Sequence, residues 1–310
     1  MIANLLIWFS VNRELRPAIF DSGVINSHVH VEQVSFHGKN DAYRISNDTV
    51  ELVVVPRLGR VMRYAYLRGE NVLWENVSVS GGPETSPNPN LNWINYGGDK
   101  LWVAPQSIDT WPPDHTIDPG PYAAEILPNG IRLQGAVSAA LKVRLSRDIV
   151  LSEFGTKVSF TNRLQNLGEA RRICPWQVTQ IDNPDVVELP VRVTGLQPAG
   201  YYSYGNQQLN PKYHDLKVEK LLLRRDPLES RKFGATGLSG ELLATKHGVI
   251  FHSFQSVSAR ANYPDNGSAQ QVYLSADPLA YVELEQVGPL TKLERREYAI
   301  QRVQWTLSDK

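Results

Sequence analysis

The feature that most constrains the fold is an alternation of apolar and polar residues with a period of two, which begins near residue 42. Turn sequences at Asn47-Asp48, Gly59 and 69–71 divide this part of the chain into short segments. Alternation between turn residues is typical of β-strands. Residues 50–55 (VELVVV) are apolar at almost every position, which predicts a strand covered on both faces. The pattern predicts an all-β protein, built as an antiparallel sandwich or barrel.

Later segments continue the same pattern. Asn129-Gly130 predicts a hairpin, and a second strand pair is expected to turn near Phe154-Gly155. Strand patterns return in 241–257, 270–275 and 280–307. Residues 216–230 (LKVEKLLLRRDPLES) alone suggest a helix, which Pro227 would limit. We therefore expect helix only in short pieces, chiefly near residues 216–225.

Composition excludes several classes of function. The 310 residues carry a formal net charge of +0 with both signs mixed, whereas nucleic-acid binding needs a basic face. The single cysteine, Cys174, excludes an internal disulfide and a cysteine zinc site, and its neighbours Ile173 and Pro175 predict a buried, inert thiol. Nucleic acid is thus not an expected partner.

The first residues, MIANLLIWFSVNRELR, contain a short apolar run without a preceding basic residue. Such a run is a poor signal peptide and is too short for a membrane span, so we expect a cytoplasmic protein without a membrane partner. We interpret residues 1–32 as an N-terminal extension and residues 33–310 as a single β-sandwich domain.

Residues 95–115 (NYGGDKLWVAPQSIDTWPPDH) concentrate the groups that a polyol site needs. Gly97 and Gly98 allow positive φ or close approach to a ligand. Trp102 and Trp111 offer flat apolar faces suited to a sugar ring. The expected hydrogen-bonding groups are Asp99, Lys100, Gln106 and Asp114. The alternative interpretation is a glycine-rich turn between strands whose tryptophans belong to the core.

The phrase VINSHVHVE at 24–32 invites a metal-site interpretation, because His28 and His30 would share one face of a strand. It is similar to the HxH strand that opens amidohydrolase barrels. Those barrels alternate strands with long helices, which this chain does not do, and no other histidine has ligand spacing. We expect no metal and place both histidines on an exposed strand.

Several phrases together resemble galactose mutarotase-like proteins, the aldose 1-epimerase superfamily. VELVVVPRLGRVMRYAYLRGENVLWEN is similar to the opening of such domains, and NYGGDKLWVAPQ, RKFG, NYPDNG and YVELEQVGPL resemble the DUF4380 group within it. The resemblance covers roughly residues 33–308. It implies an antiparallel β-supersandwich whose cleft binds a small-molecule or oligosaccharide carbohydrate without a cofactor. Through these phrases it adds Lys232, Tyr263 and Asp265 to the expected substrate-binding residues.

The resemblance also implies an acid–base pair. Mutarotases use a carboxylate base in a late Leu-Glu-x-Gln-like phrase, which Leu284-Glu285-Gln286 matches, so Glu285 is the expected base. Glu283, on the same strand face, is the reserve. Both glutamates could instead be solvated carboxylates of an edge strand.

The expected acid is missing. In the region where mutarotases carry their histidine, NRLQNLGEARRICPWQVTQI, this chain has Trp176 and Gln177. Gln177 can hydrogen-bond a sugar but cannot act as a general acid. His115, beside Asp114, is the expected substitute.

Three functions therefore stay open at this point. The first is an aldose-epimerase-like isomerase acting on a sugar or uronate, and the second is a non-catalytic carbohydrate-binding sandwich. The third, ranked last, is a metal hydrolase using His28 and His30. A proton donor opposite Glu285 would favour the enzyme over the binding protein.

Overall fold

The computed structural model describes residues 28–79, 93–106, 113–206 and 208–309. Trp111, one of the expected sugar-stacking residues, lies outside these ranges. The strands of the described residues are, in chain order, β1 His30–Phe36, β2 Lys39–Ser46, β3 Val50–Val55, β4 Arg60–Tyr66, β5 Asp99–Ala104, β6 Tyr122–Leu127, β7 Gly130–Val137, β8 Val143–Leu151, β9 Val158–Asn166, β10 Arg171–Asp182, β11 Val186–Pro190, β12 Tyr202–Ser203, β13 His214–Lys217, β14 Lys220–Leu223, β15 Arg231–Ala235, β16 Glu241–Lys246, β17 Val249–Phe254, β18 Gln270–Leu274, β19 Tyr281–Val287, β20 Thr291–Leu293 and β21 Tyr298–Asp309.

These strands form two antiparallel sheets, so the predicted all-β sandwich is confirmed. Within the described residues the first sheet has 11 strands in the order β1-β2-β3-β4-β5-β10-β19-β18-β15-β12, with β20 added beside β10. The second has 10 strands in the order β13-β14-β11-β16-β17-β21-β9-β8-β7-β6. The middle of the first sheet therefore joins β5, β10 and β19, which are far apart in sequence.

Several local predictions are confirmed. The turn at Asn129-Gly130 joins β6 to β7, the turn at Phe154-Gly155 joins β8 to β9, and Asn47-Asp48 joins β2 to β3. The residues of β3 are mostly buried on both faces, as their continuous apolar character predicts. Residues 72–76, which follow the turn at 69–71, contribute only isolated bridges through Leu73 and Glu75.

The helix predicted for residues 216–230 is wrong. Strands β13 and β14 form a hairpin there, with Glu219 at φ 59 in its two-residue turn. Leu221 of β14 pairs with Leu189 of β11 and both are buried, so sheet pairing overrides the local preference. The described helical turns are short, at Pro56–Leu58, Tyr204–Asn206 and Pro264–Gly267 (α1). No helix of the described residues has the length and apolarity to cross a membrane.

Gly97 and Gly98 lead into β5, and both have positive φ, 94° and 70°. A Cβ on Gly97 would lie 2.3 Å from the carbonyl oxygen of Trp74, and one on Gly98 would lie 2.3 Å from that of Val61. Close backbone packing therefore requires these glycines, and it fixes where β5 enters the sheet.

A polar network lies between the two sheets, under the middle of the first one. Asp99 Oδ2 accepts a hydrogen bond from Arg147 of β8 at 2.6 Å, and Asp99 Oδ1 accepts from Gln177 at 2.9 Å and Thr179 at 2.8 Å. Asn162 of β9 donates to Gln177 Oε1 at 2.7 Å. Burial raises the pKa of Asp99, and the Arg147 guanidinium opposes this shift. The network thus ties β5 and β10 to the second sheet.

The network continues toward β19. Gln301 of β21 donates to Gln255 Oε1 and to the carbonyl oxygen of Gln286, both at 2.8 Å. The Gln286 amide in turn donates to the carbonyl oxygen of Ser253 in β17 at 2.9 Å. The three strands at the middle of the first sheet, β5, β10 and β19, are therefore all hydrogen-bonded to the second sheet through side chains.

Candidate functional site

The outer face of β5, β10 and β19 carries a cavity of about 560 Å³. Consecutive residues of a strand lie on opposite faces of the sheet. The outer face therefore carries the residues that are next in sequence to those of the buried polar network. The lining residues are Trp93, Trp102, Gln106, Trp176, Tyr204, Lys232, Asp265, Tyr273, Tyr281 and Glu283. We call this cavity the cleft.

One wall of the cleft is made of tryptophans. Trp102 of β5 and Trp176 of β10 are cross-strand neighbours with ring centroids 5.2 Å apart, and Trp93 lies 6.0 Å from Trp102. Asp118 Oδ2 accepts hydrogen bonds from Nε1 of Trp93 at 2.8 Å and of Trp102 at 2.9 Å. Arg60, itself buried, holds that carboxylate through bonds of 2.5 and 2.7 Å. The indole planes of Trp93 and Trp102 are therefore held in place by a buried ion pair.

Glu285 lies below the cleft and is fully buried. Its Oε2 accepts hydrogen bonds from Trp176 Nε1 at 2.8 Å and from Lys232 Nζ at 2.9 Å. Its Oε1 has no hydrogen-bond partner among the described residues. Burial raises the pKa of Glu285 to about 7, the Lys232 ammonium opposes the rise, and the Glu283 carboxylate adds to it. A carboxyl group with this pKa can exchange a proton near neutral pH.

Glu283 belongs to a second ion pair on the same face. Its Oε1 accepts from Lys100 Nζ at 3.2 Å and from Gln180 Nε2 at 3.0 Å. The Lys100 ammonium also lies 4.7 Å from the centroid of the Trp102 ring, a cation–π geometry. Burial lowers the pKa of Lys100, and Glu283 opposes this shift. Both cleft glutamates therefore have a lysine partner.

The far side of the cleft is formed by Lys232, Tyr204 and Asp265. Lys232 Nζ lies 4.8 Å from the Trp176 ring centroid and 5.1 Å from that of Tyr204. Asp265, in the turn of α1, accepts from Gln271 Nε2 at 2.8 Å. Burial raises the pKa of Tyr204, and the carboxylates of Asp265 and Glu285 raise it further. This side of the cleft therefore combines the ring of Tyr204 with the ammonium group of Lys232 and the carboxylate of Asp265.

Most of the residues expected in the site come together. Trp102, Gln106, Lys232, Asp265 and Glu283 line the cleft. Glu285 and Lys100 lie beneath it, bonded to lining residues. Whether any of them binds or converts a substrate stays a prediction.

Other expected residues lie elsewhere. Asp99 and Gln177 point between the sheets into the polar network. Tyr263 is buried, and its hydroxyl accepts a hydrogen bond from the Ser258 backbone N–H at 3.0 Å. His115 is exposed and does not line the cleft. Asp114, expected to tune His115, instead accepts from the Ser138 hydroxyl and from the Thr116 N–H.

Five lining residues of the cleft were not expected from the sequence. These are Trp93, Trp176, Tyr204, Tyr273 and Tyr281. For Trp176 a signal was available, because Trp176 and Gln177 are consecutive in a strand and only one of them can face the cleft. The other four reach the cleft through long-range contacts, which no local sequence pattern predicts.

The histidines of the described residues lie outside the cleft lining. His30 is exposed on β1, and His28 lies 3.8 Å from Asp48. His214 is buried against Phe233, with a pKa lowered by burial to about 4. Within the described ranges no three His, Cys, Asp or Glu side chains group as metal ligands would.

Among the comparisons with known proteins, the one with solved structures bears on the fold. No model of a protein family matches the chain, and no curated protein matches it by sequence. The narrower assignment to the DUF4380 group therefore stays a prediction. A solved structure described as a galactose mutarotase related enzyme, from Lactobacillus acidophilus, is 10% identical, with a TM-score of 0.55 over 86% of this chain and 97% of that one.

Two further solved structures are similar to the same extent. A candidate aldose 1-epimerase from Escherichia coli K12 is 12% identical, with a TM-score of 0.53 over 87% of this chain and 99% of that one. A candidate mutarotase from Salmonella typhimurium is 11% identical, with a TM-score of 0.53 over 92% of this chain and 95% of that one. At such identities the likeness concerns the fold alone. The chain therefore has the β-sandwich fold of galactose mutarotase-like proteins.

Proposed function

We propose that the protein binds a carbohydrate in the cleft, with a sugar ring against Trp102 and Trp176. The observation that carries this proposal is the combination of fixed indole faces with carboxylate and ammonium groups in one cavity of about 560 Å³. A sugar ring presents apolar C–H groups on its faces and hydroxyls at its edge, so it needs both kinds of surface. The names of the similar structures, which refer to aldose epimerases and mutarotases, point to the same class of ligand.

A binding screen tests this proposal directly. Saturation-transfer NMR with monosaccharides and oligosaccharides should detect at least one sugar bound to the wild-type protein. Trp102→Ala and Lys232→Gln, one from each side of the cleft, should weaken that binding by roughly tenfold, about 1.4 kcal/mol. Phe154→Ala removes an exposed ring (68% exposed) that does not line the cleft, and it serves as the aromatic control.

The outcome that contradicts the proposal is equally clear. Suppose that the affinity for a sugar is unchanged in both cleft variants while circular dichroism shows that all the proteins are folded. That sugar would then bind elsewhere. A screen in which no sugar binds would remove the proposal altogether.

A second candidate function, interconversion of anomers, is favoured by the state of Glu285. Its pKa of about 7 suits a general base at neutral pH, and its Oε1 has no partner among the described residues. In this reaction Glu285 takes the proton of the anomeric hydroxyl, and that O–H electron pair forms the C=O bond. The bond from the anomeric carbon to the ring oxygen then breaks, and the ring oxygen takes a proton.

The proton donor in this scheme is Lys232. Histidine, the acid implied by the resemblance, does not line the described part of the cleft, whereas Lys232 Nζ lies 2.9 Å from Glu285 Oε2. After ring opening Glu285 carries the extra proton and Lys232 lacks one. Ring closure on the other face of the carbonyl reverses both transfers: Glu285 returns its proton to the carbonyl oxygen, and Lys232 takes back the proton of the attacking hydroxyl.

Exchange NMR between the two anomers of a bound reducing sugar tests this second function. Glu285→Gln keeps the shape but removes the base, so the rate should fall by about 10²–10⁴-fold. Binding should stay within about tenfold, roughly 1.4 kcal/mol. Glu283→Gln is the matched variant on the same strand face and should retain more of the rate. A wild-type rate that Glu285→Gln leaves unchanged would exclude Glu285 as the base.

A further inference from the structure

A second cavity of about 240 Å³ adjoins the cleft. The two cavities share three lining residues, Trp102, Gln106 and Trp176. The tryptophan pair therefore contributes surface to both. We call this second cavity the side pocket.

The side pocket has a different chemistry from the cleft. Its remaining lining is mostly apolar and comes from Val103, Pro105, Pro113, Asp114, Ile117, Leu141, Arg171, Arg172 and Ile173. Arg171 is engaged, since it donates to the carbonyl oxygen of Leu141 and to Asn166 Oδ1. Gln106 and Arg172 are exposed. The pocket thus offers apolar walls with a few polar groups at its edge.

Arg172 contrasts with the two lysines of the cleft. Lys100 and Lys232 are each paired with a glutamate, at 3.2 and 2.9 Å. Arg172 makes no ion pair with any residue in the described ranges. Its guanidinium has several N–H donors in a planar fork, which suits the hydroxyl oxygens of a sugar. A ligand reaching past the tryptophan pair would meet this group.

We propose that the side pocket is a subsite for a second sugar unit, so that the ligand is an oligosaccharide rather than a free monosaccharide. This inference rests on the proposed carbohydrate binding in the cleft. A single hexose is smaller than the drug-sized ligands that cavities of roughly 300–1,000 Å³ enclose. It therefore fills only part of the cleft, whereas a disaccharide extends along Trp102 and Trp176 into the side pocket. Each unit then has an indole surface and its own polar partners.

Calorimetric titration with sugars of two lengths tests the subsite. Glucose and galactose are compared with maltose, cellobiose and lactose, and at least one disaccharide should bind about tenfold more tightly than its reducing-end monosaccharide. Arg172→Ala removes the donor, and Arg172→Trp is designed to fill the pocket; both substitutions are at an exposed strand position. In both variants the ratio of the disaccharide affinity to the monosaccharide affinity should fall to about one. Arg295→Ala, at another exposed arginine, is the control and should keep the wild-type ratio.

The outcomes separate this inference from the function it rests on. If the wild-type protein binds monosaccharides and disaccharides with about equal affinity, the subsite proposal is overturned and the cleft proposal stands. A ratio that survives Arg172→Trp would also overturn the subsite, because the pocket would then be filled. Failure of both sugar lengths to bind would overturn the two proposals together.

Discussion

The two faces of β5, β10 and β19 use similar residues for different purposes. On the inner face Asp99 pairs with Arg147 at 2.6 Å, and both side chains are fully buried between the sheets. On the outer face Glu285 pairs with Lys232 at 2.9 Å, and the lysine side chain is 20% exposed to the cleft. The inner pair is closed to any ligand, whereas Lys232 of the outer pair is exposed to the cleft.

Consecutive residues of these strands have different roles, because they lie on opposite faces of the sheet. Asp99 and Lys100 are consecutive, as are Trp176 and Gln177, and Glu285 and Gln286. In each pair one residue belongs to the network between the sheets and the other to the cleft face. We therefore expect substitutions on the inner face to cost stability and substitutions on the outer face to cost binding.

The largest expected effect is on the inner face. Asp99→Ala leaves Arg147 buried without its carboxylate, and breaking a buried ion pair in this way costs about 3–5 kcal/mol. Urea unfolding followed by tryptophan fluorescence measures that loss. A loss below about 1 kcal/mol, the usual effect of a typical substitution, would contradict the structural role of the network.

The next prediction compares two consecutive residues of β10. Gln177→His breaks hydrogen bonds to Asp99 and Asn162, so it should destabilise the fold by about 1–3 kcal/mol without placing an acid in the cleft. Trp176→His replaces a cleft residue that donates to Glu285, so it should weaken sugar binding by roughly tenfold, about 1.4 kcal/mol. Unfolding and sugar titrations on both variants test the assignment of faces. Equal effects of both substitutions on binding would show that the assignment is wrong.

The sequence predicted the fold from features that are local. Alternation with a period of two, together with turns at Asn47-Asp48 and Asn129-Gly130, is a property of neighbouring residues, and it led to the correct all-β sandwich. The helix expected at 216–230 failed for the same reason. Leucines such as Leu221 favour a helix locally, but pairing with β11 decides the structure.

The site was predictable only in part. Phrases on β5, β15 and β19 pointed to Trp102, Lys232 and Glu285, which the fold brings together. Asp99 and Gln177 were expected in the site because their types suit a sugar, although alternation along the strand directs them inward. Trp93 and Tyr204 reach the cleft through the tertiary fold alone.

A smaller effect concerns the pH dependence of stability. The pKa of Glu285 rises from 4.5 to about 7 on folding, so the folded protein binds more protons than the unfolded chain between these values. Stability contributed by this group is therefore lost as the pH rises from about 4.5 to 7. His214, whose folded pKa is lowered to about 4, has the opposite dependence below its unfolded value of 6.5.

Comparison with Glu285→Gln isolates the glutamate, because the His214 contribution is common to both proteins. The stability of the variant relative to wild type should rise between pH 5 and pH 8, as measured by urea unfolding at each pH. A relative stability that does not change with pH would show that Glu285 keeps an ordinary pKa.

The smallest expected effect is at His115. This side chain is exposed, and its neighbour Asp114 is engaged by Ser138 and Thr116. His115→Ala should change stability by less than about 0.5 kcal/mol and leave sugar affinity and any anomer exchange as in the wild-type protein. A loss of the exchange rate in this variant would restore His115 as an acid and remove Lys232 from that role.

On this structure, we expect the outer face of β5, β10 and β19 to be the functional one. A crystal structure with the tightest-binding sugar of the screen tests it most directly. We expect a sugar ring stacked on Trp102 or Trp176, with a hydroxyl within hydrogen-bonding distance of Lys232 or Glu283. A sugar seated instead in the separate cavity lined by Arg192, Leu216 and Lys217, at the edge of the second sheet, would contradict it.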